Sequence, residues 1–494
     1  MILILADDLG YSDLGCYGSE IQTPNLDKMA ENGIRFNRFY NQARCCPSRA
    51  ALLTGLYAHN AGMGGMVSHI GEKREDGPYQ GYLSRDVVTI AEALQETGYH
   101  SYISGKWHVG EDQENWPLQR GFERYFGLIS GASSYFELIK NQPRHRQMAL
   151  DDKSWEPPAE GFYMTDAITD YAIQWIDEHQ QKYDSPFFLY VAYTAPHWPL
   201  HALPEDIEKY AGKFTAGWDS LRVRRFQRLR DIGLIDENTQ LSIRPDEIPA
   251  WESVKNQEEW ARKMEVYAAM IDRMDQDIGR IMNNLKEKKQ FDNTLILFLS
   301  DNGASDENIE GRKLNNPSVP IGLQGSYTAY QTPWAHLSNT PFRYFKKRVH
   351  EGGITSPFIA HWPAGIHNKG EILSQTGHII DLMPTFLEIA GVELPEQFTG
   401  HEINILDGVS LAPALTKANV VSRDALYWEH EGNRALRQGK WKLVALKGKE
   451  WQLYNLQRDG SETTDLSHIY PDTVEILKNK YEEWARKVGV YEKH

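Results

Sequence analysis

Four short strand-like runs constrain this chain more than any other feature: Ile2 to Ala6, His100 to Ser104, Phe187 to Tyr193 and Thr294 to Leu299. Continuous apolar runs of this length mark strands buried on both faces, as in a parallel sheet covered by helices. Each run ends in a turn that carries polar or ionisable groups. The first delivers Asp7 and Asp8, the second Lys106 and His108, the third His197, the fourth Asp301 and Asn302. Right-handed crossovers place such turns on one edge of the sheet, the edge where α/β folds hold their ligands. One of these turns on its own could be ordinary solvated chain; four together predict a single site built from segments as far apart as Asp7 and Asn302.

Helical patterns separate the runs. Thr23-Pro24 opens one with Leu26, Met29 and Ala30 on a common face and Gly33 at its end. Thr89 with Glu92 predicts a capping box, and Gly98 the stop. Ile168, Tyr171, Ala172, Trp175 and Ile176 recur at helical spacing from about Thr165, and Glu258 to Lys288 reads as one long amphipathic helix. Residues from about 198 to 257 read as an insertion with a basic run, Arg222, Arg224, Arg225, Arg228 and Arg230. A solvated helix face paired with nearby acids suits that run better than a polysaccharide-binding patch. Residues 303–341 read as a long loop region. Past residue 375 the texture changes: a helix from His378 to Gly391, alternating strands over Arg434–Leu446 and Trp451–Leu456, and a last helix from Asp472 to Lys487. The expected fold class is therefore α/β. Residues 1–375 form a large domain with a mostly parallel central sheet flanked by helices. Residues 376–494 form a smaller C-terminal α+β subdomain with an antiparallel sheet.

A chain of 494 residues with 41% hydrophobic content can bury a large core. Its net charge of −15 argues against a nucleic-acid or anionic-membrane surface, so an anionic substrate would need a local cluster of cations. Three cysteines, two of them adjacent, make no disulfide framework, and no apolar stretch approaches the roughly 18 residues of a membrane span. Met1 stands almost inside the first strand, which suggests that an export signal once preceded it and that the protein is periplasmic or extracellular.

The stretch Arg44 to Gly55, RCCPSRAALLTG, predicts a short buried helix entered at Cys45, with Arg49 about one turn further along and Gly55 as the stop. A thiol at a helix N-terminus beside an arginine is a place where anions gather. An isolated buried cysteine is commonly an inert core residue, but here Cys-x-Pro-Ser-Arg followed by Ala-x-Leu-Leu-Thr-Gly resembles the signature of the formylglycine-dependent (type I) sulfatases of the alkaline phosphatase superfamily. ADDLGYSDLGCYG at the start, GKWH, APHWP, and NTPFRYFKKRVHEGGI ending at Ile354 resemble further stretches of the same family.

The resemblance implies that Cys45 is oxidised to formylglycine by a formylglycine-generating or anaerobic sulfatase-maturing enzyme, and that the hydrated aldehyde is the nucleophile. It implies one calcium ion held by Asp7, Asp8, Asp301, Asn302 and the matured Cys45. Independently, an all-oxygen donor set favours calcium or magnesium over zinc. By the same resemblance Arg49, Lys106 and Lys346 neutralise the sulfate, His197 protonates the leaving oxygen, and His108 takes a proton from the sulfated intermediate. Alignment on Glu351-Gly352-Gly353 selects Lys346, but Lys346-Lys347-Arg348 stands where relatives often carry Lys-Gly-Ser, so Lys347 competes for that role. His59 would be supporting.

For the leaving group, Trp198, His201, Glu429 and His430, with Glu431, offer stacking faces and polar groups. They suggest an exo-acting sulfatase for a sulfated glycan ending in galactose or an N-acetylhexosamine, with an aryl sulfate as an artificial substrate. A phosphatase or phosphodiesterase of the superfamily would be expected to show a Ser or Thr nucleophile and ligands for two zinc ions. A catalytically silent glycan-binding protein would lack one of the nucleophile, the carboxylates or His197; all are present.

Overall fold

The structure is a computed structural model, and it describes all residues except 69, 73, 75, 141–145, 395–396, 399–400, 418 and 492–494. Its centre is an 11-stranded sheet. In chain order the strands are β1 (Ile2–Ala6), β2 (Ile34–Tyr40), β3 (His100–Gly105), β4 (Arg124–Leu128), β5 (Met148–Leu150), β6 (Lys153–Trp155), β7 (Phe187–Ala192), β8 (Ile296–Ser300), β9 (Thr355–His361), β10 (Glu371–Leu373) and β11 (Gly377–His378). The spatial order is β10-β2-β9-β8-β1-β7-β3-β4-β5-β6, with β11 also on β2. The four strands read from the sequence are neighbours, β8-β1-β7-β3, and every pairing among them is parallel. Antiparallel pairings flank this centre, at β8-β9-β2 and β4-β5-β6.

The period of two in β1 separates the two layers of the core. Leu3 and Leu5 join a cluster with α2 (Cys45–Thr54) and α3 (Ile90–Gln95). Ile2 and Ile4 join the opposite one, with α1 (Pro24–Glu31), α4 (Met164–Lys182) and α7 (Gln257–Glu287), so the sheet is covered on both faces. Thr89 caps α3 through the expected reciprocal box with Glu92.

Within the 198–257 stretch lie α5 (Pro204–Glu208) and α6 (Gly217–Asp231). Of the basic run on α6, Arg224, Arg228 and Arg230 are exposed as expected, but two members are not. Arg222 and Arg225 point inward, Arg222 donating to the carbonyls of His336, Pro341 and Phe342, and Arg225 pairing with Asp13 at 2.7 Å and Glu20 at 2.8 Å. The sequence shows the charges but not the carbonyls and acids that a folded neighbour brings to them. The loop region after residue 303 also contains a helix, α8 (Gln331–Ser338), whose Trp334 packs edge-on against Trp218 of α6.

The central sheet continues to His378, which stays in β11 while its ring accepts from Ile380 N–H. The helix expected from His378 therefore starts later, as Leu382–Ala390, and stops at Gly391 with φ +69°. A four-stranded antiparallel sheet follows, Leu426–His430, Asn433–Gln438, Trp441–Ala445 and Gln452–Asn455, with the final helix Pro471–Lys487 beside it. This sheet shares the α2-side core, and Trp428 donates from its indole to the Asn41 carbonyl at 2.7 Å. Lys442 on its third strand reaches Glu351 at 2.7 Å and Glu462 at 2.8 Å, all three buried.

Candidate active site

The turns after β8, β1, β7 and β3 meet at one edge of the sheet, and α2 starts beside them. Gly105 ends β3 with φ +122°, where a Cβ would sit 1.9 Å from the Ala192 carbonyl oxygen. That conformation turns the chain so that Lys106 N–H donates to the same oxygen at 2.7 Å and its side chain runs back to Asp7. Every residue of α2 is buried, and Arg49, one turn after Cys45, points under the site. Its guanidinium donates to Asp301 Oδ2 from Nε at 3.1 Å and Nη2 at 2.9 Å, while Nη1 donates to the Lys106 carbonyl at 2.9 Å. Lys346 Nζ lies 2.7 Å from Asp8 Oδ1. Lys347, the other candidate, is turned away to Glu307 at 2.8 Å.

Cys45 Sγ, Cys46 Sγ and a ring nitrogen of His108 lie within 4.8 Å of one another, as do one oxygen each of Asp7 and Asp8 and a ring nitrogen of His197. His197 Nδ1 sits 2.6 Å from the Trp198 carbonyl, an acceptor only, so Nδ1 carries the proton and Nε2 faces Asp8 Oδ2 at 3.5 Å. Gly131 packs on the His108 ring: a Cβ there would lie 2.4 Å from Cε1 and Nε2.

The charges tune one another. A hydrogen bond from Cys46, then the Lys106 and Lys346 charges, pull the Cys45 thiol well below its usual range against the opposing effect of burial. Burial pushes the Asp7 carboxyl up, but Lys106, His197 and Arg49 outweigh it and hold it at about 2. Burial and the Asp7 charge push the Asp301 carboxyl well up. Burial lowers His108 to about 3 and lowers His197 as well, so both rings are neutral at pH 7. Asp8 and Glu307 raise Lys346 above the ordinary lysine value despite its burial.

Two buried oxygens on this edge, Asp7 Oδ1 and Asn302 Oδ1, accept no hydrogen bond among the described residues. Asn302 donates instead from Nδ2 to Asp8 Oδ1 at 2.7 Å, and its own oxygen is left over. Orphaned acceptors beside two carboxylates fit a hard cation, and the donor set of Asp7, Asp8, Asp301 and Asn302 is oxygen throughout.

The remaining expectations divide. Trp198 borders the site, its ring 4.5 Å from that of His197. His430 is buried near Arg44, its ring nitrogens make no hydrogen bond among the described residues, and burial and the Arg44 charge push it down to about 4. His201 is not available to a substrate: Nδ1 accepts from Tyr135 N–H at 3.3 Å and Nε2 donates to the Ser326 carbonyl at 2.6 Å. Glu429 is likewise engaged, accepting from His59 Nε2 and the Tyr79 hydroxyl, each at 3.0 Å, and from Gly432 N–H at 2.7 Å. His59 thus ties the loop after α2 to the C-terminal sheet. Three residues at the site escaped the sequence reading: Arg44, Gly131 and Glu307. Arg44 opens the quoted stretch RCCPSRAALLTG, but nothing in its spacing says what its side chain faces.

Fold and site define an α/β hydrolase of the alkaline phosphatase superfamily that gathers cations and carboxylates around one cysteine. The model of the sulfatase family matches residues 1–392, and that of the N-sulphoglucosamine sulphohydrolase C-terminal region matches residues 341–487. An uncharacterized sulfatase of Schizosaccharomyces pombe is 34% identical over 98% of this chain and 92% of its own length. An arylsulfatase of Klebsiella aerogenes is 34% identical over 86% of this chain and 93% of its own. The crystal structure of Ps i-CgsB in complex with k-i-k-neocarrahexaose superposes with a TM-score of 0.72 at 28% identity, covering 98% of this chain and 92% of that one. The chain belongs to the sulfatase family, and it is a sulfatase, a hydrolase of sulfate esters.

Proposed function

We propose that this sulfatase removes sulfate from the end of a sulfated glycan carrying galactose or an N-acetylhexosamine, with Cys45 matured to formylglycine by a dedicated maturing enzyme and with one calcium ion. The observation that carries the reading is the convergence of Arg49, Lys106 and Lys346 with Asp7, Asp8 and Asp301 around Cys45. In this chain the Cys45 thiol stands in for the hydrated aldehyde that would attack sulfur. Asp7, Asp8, Asp301 and Asn302 would hold the calcium, which when bound supplies positive charge to the sulfate and the nucleophile.

The chain's own groups supply the rest. Lys106 and Lys346 face the nucleophile position and place fixed positive charge where sulfate oxygens gain negative charge, in a site that excludes water. Arg49 locks Asp301 and the Lys106 backbone in place from below. His197 Nε2, fixed in orientation by the Trp198 carbonyl, is the group that would pass a proton to the leaving oxygen; because the resting ring carries its one proton on Nδ1, Nε2 must first take that proton up. His108, neutral and in reach of the nucleophile position, can accept one. The preference for a glycan rests on Trp198 beside His197, on His430 near Arg44, and on the oligosaccharide held by a similar sulfatase.

The test is sulfate release from positional isomers of sulfated galactose and N-acetylhexosamine, beside an aryl sulfate, with protein whose Cys45 conversion is confirmed by peptide mass. One sugar cleaved far faster than its isomers is the expected result, and Cys45→Ala abolishes it. Matured protein that cleaves none of these sugars overturns the substrate assignment. Calcium raises the melting temperature of the Cys45→Ala protein and does so much less when Asp301→Asn is added; equal shifts would reject the ligand set.

A further inference from the structure

Glu307 lies six residues past Asp301, and its carboxylate is where the cations at the mouth of the site converge. Oε1 is 2.8 Å from Lys347 Nζ and 3.7 Å from Arg44 Nη2. Oε2 accepts from the Trp198 indole at 2.7 Å and lies 3.7 Å from Lys346 Nζ. One carboxylate thus touches the residue before Cys45, the lysine that faces the sulfate, that lysine's neighbour, and the indole packed on His197. The Arg44 side chain is 13% exposed, and its Nε and Nη1 make no hydrogen bond among the described residues. The charge of Glu307 is the nearest answer to it.

The Glu307 side chain is 15% exposed and opens onto a cleft of about 450 Å³. Arg312, Lys347 and Glu431 also line this cleft, and the Arg312 guanidinium lies 4.3 Å from the centre of the Trp198 ring. A leaving group attached to sulfate between Lys346 and His197 must pass this rim. With Glu307 ionised, its one negative charge offsets one of the two positive charges of Arg44 and Lys347, so the mouth attracts a second anion less than it would without this carboxylate. Burial pushes the Glu307 carboxyl up, but Lys346 and Arg44 outweigh it and hold the group below the usual glutamate range, so it is ionised at neutral pH.

We propose that Glu307 is a specificity-determining residue: its charge weakens the site's attraction for leaving groups that bear a further sulfate or a carboxylate near the scissile ester, relative to neutral ones. This rests on the sulfatase mechanism proposed above. Removing the Glu307 charge while keeping its shape frees Arg44 and Lys347 to attract such a group. Removing the Lys347 charge takes one positive charge from the mouth and does the opposite.

The experiment compares kcat/KM for phenyl sulfate and for its ring-carboxylated analogue, both read as released sulfate, using matured wild type, Glu307→Gln and Lys347→Gln. The ratio of anionic to neutral substrate is expected to rise about threefold to tenfold in Glu307→Gln, chiefly through KM, and to fall in Lys347→Gln. Both shifts shrink as salt is raised. A residue that only props up Trp198 would lower both substrates together and leave the ratio unchanged. Wild-type turnover with ratios within about twofold in both variants overturns the role of Glu307 alone. Wild-type protein that releases no sulfate from either probe overturns the mechanism beneath it as well. Should Glu307→Gln fail to fold, the direction of the Lys347→Gln shift still decides.

Discussion

Lys346 and Lys347 are adjacent in the chain, yet one is buried against Asp8 and the other half-exposed against Glu307. If Lys346 neutralises the sulfate as proposed, Lys346→Ala is expected to lower kcat by about 10²-fold or more, whereas Lys347→Ala changes turnover of a neutral aryl sulfate by less than about threefold. Steady-state kinetics on matured protein separates the two. His201, held between Tyr135, Ser134 and Ser326, gives a pH signature instead. Burial lowers it to about 4 from the ordinary value of 6.5. Between those two values the unfolded chain binds more protons than the folded one, so stability rises with pH across the window and is lost on acidification. His201→Gln is expected to flatten the fall in melting temperature from pH 6.5 to pH 4; an unchanged slope would show that the ring carries a proton in the fold. At this scale the positions of Asp7, Asp8, Lys106, His108, His197, Asp301, Asn302 and Cys45 were legible, since the first seven follow strands and Cys45 opens a helix. Their partners were not. His201 and Glu429 resemble substrate groups in sequence because both are polar and near tryptophans, but only folding shows that backbone amides, carbonyls and a histidine already satisfy them.

Gly105 illustrates what an element must do to deliver a residue. Its left-handed φ and the 1.9 Å approach to the Ala192 carbonyl leave no room for a methyl group. Gly105→Ala is expected to destabilise by about 3 kcal/mol or more and to displace Lys106, seen as a lower melting temperature together with lost turnover. The four strands read from the sequence carry apolar side chains on both faces, as a strand covered by helices on either side must, and they are the central parallel strands of the sheet. The flanking strands were less legible. β2 mixes Arg35, Asn37 and Arg38 among its aromatics, and β9 carries Pro357. Their strand character comes from pairing with each other, in a register with an irregularity between Phe36 and Phe39, and not from local pattern. The helix α6 was masked for the same reason: five arginines in nine positions look solvated until the carbonyls after α8 and the acids near Ser12 are set beside them.

The C-terminal sheet is bound to the rest of the molecule through charge as well as apolar surface. Lys442 stands between the buried carboxylates of Glu351 and Glu462. Lys442→Met leaves those two acids without their cation and is expected to cost about 3–5 kcal/mol at neutral pH, measured as a lower denaturant midpoint. The loss should be smaller at pH 5, because burial already pushes the Glu462 carboxyl up to about 7, and a protonated acid needs no partner. An equal loss at both pH values would assign Lys442 a packing role only. The placement of β1 has a further consequence, in time. It is the central strand of the parallel block, with β7 on one edge and β8 on the other. A ribosome adding about 5–20 residues per second needs roughly 15–60 s to go from Ala6 to Ile296. Throughout that interval the apolar strand ILILA has at least one edge unpaired. Nascent chains of this protein therefore spend most of their synthesis as clients of whatever shields exposed strands, and the site comes together only after the last of its turns has left the exit tunnel.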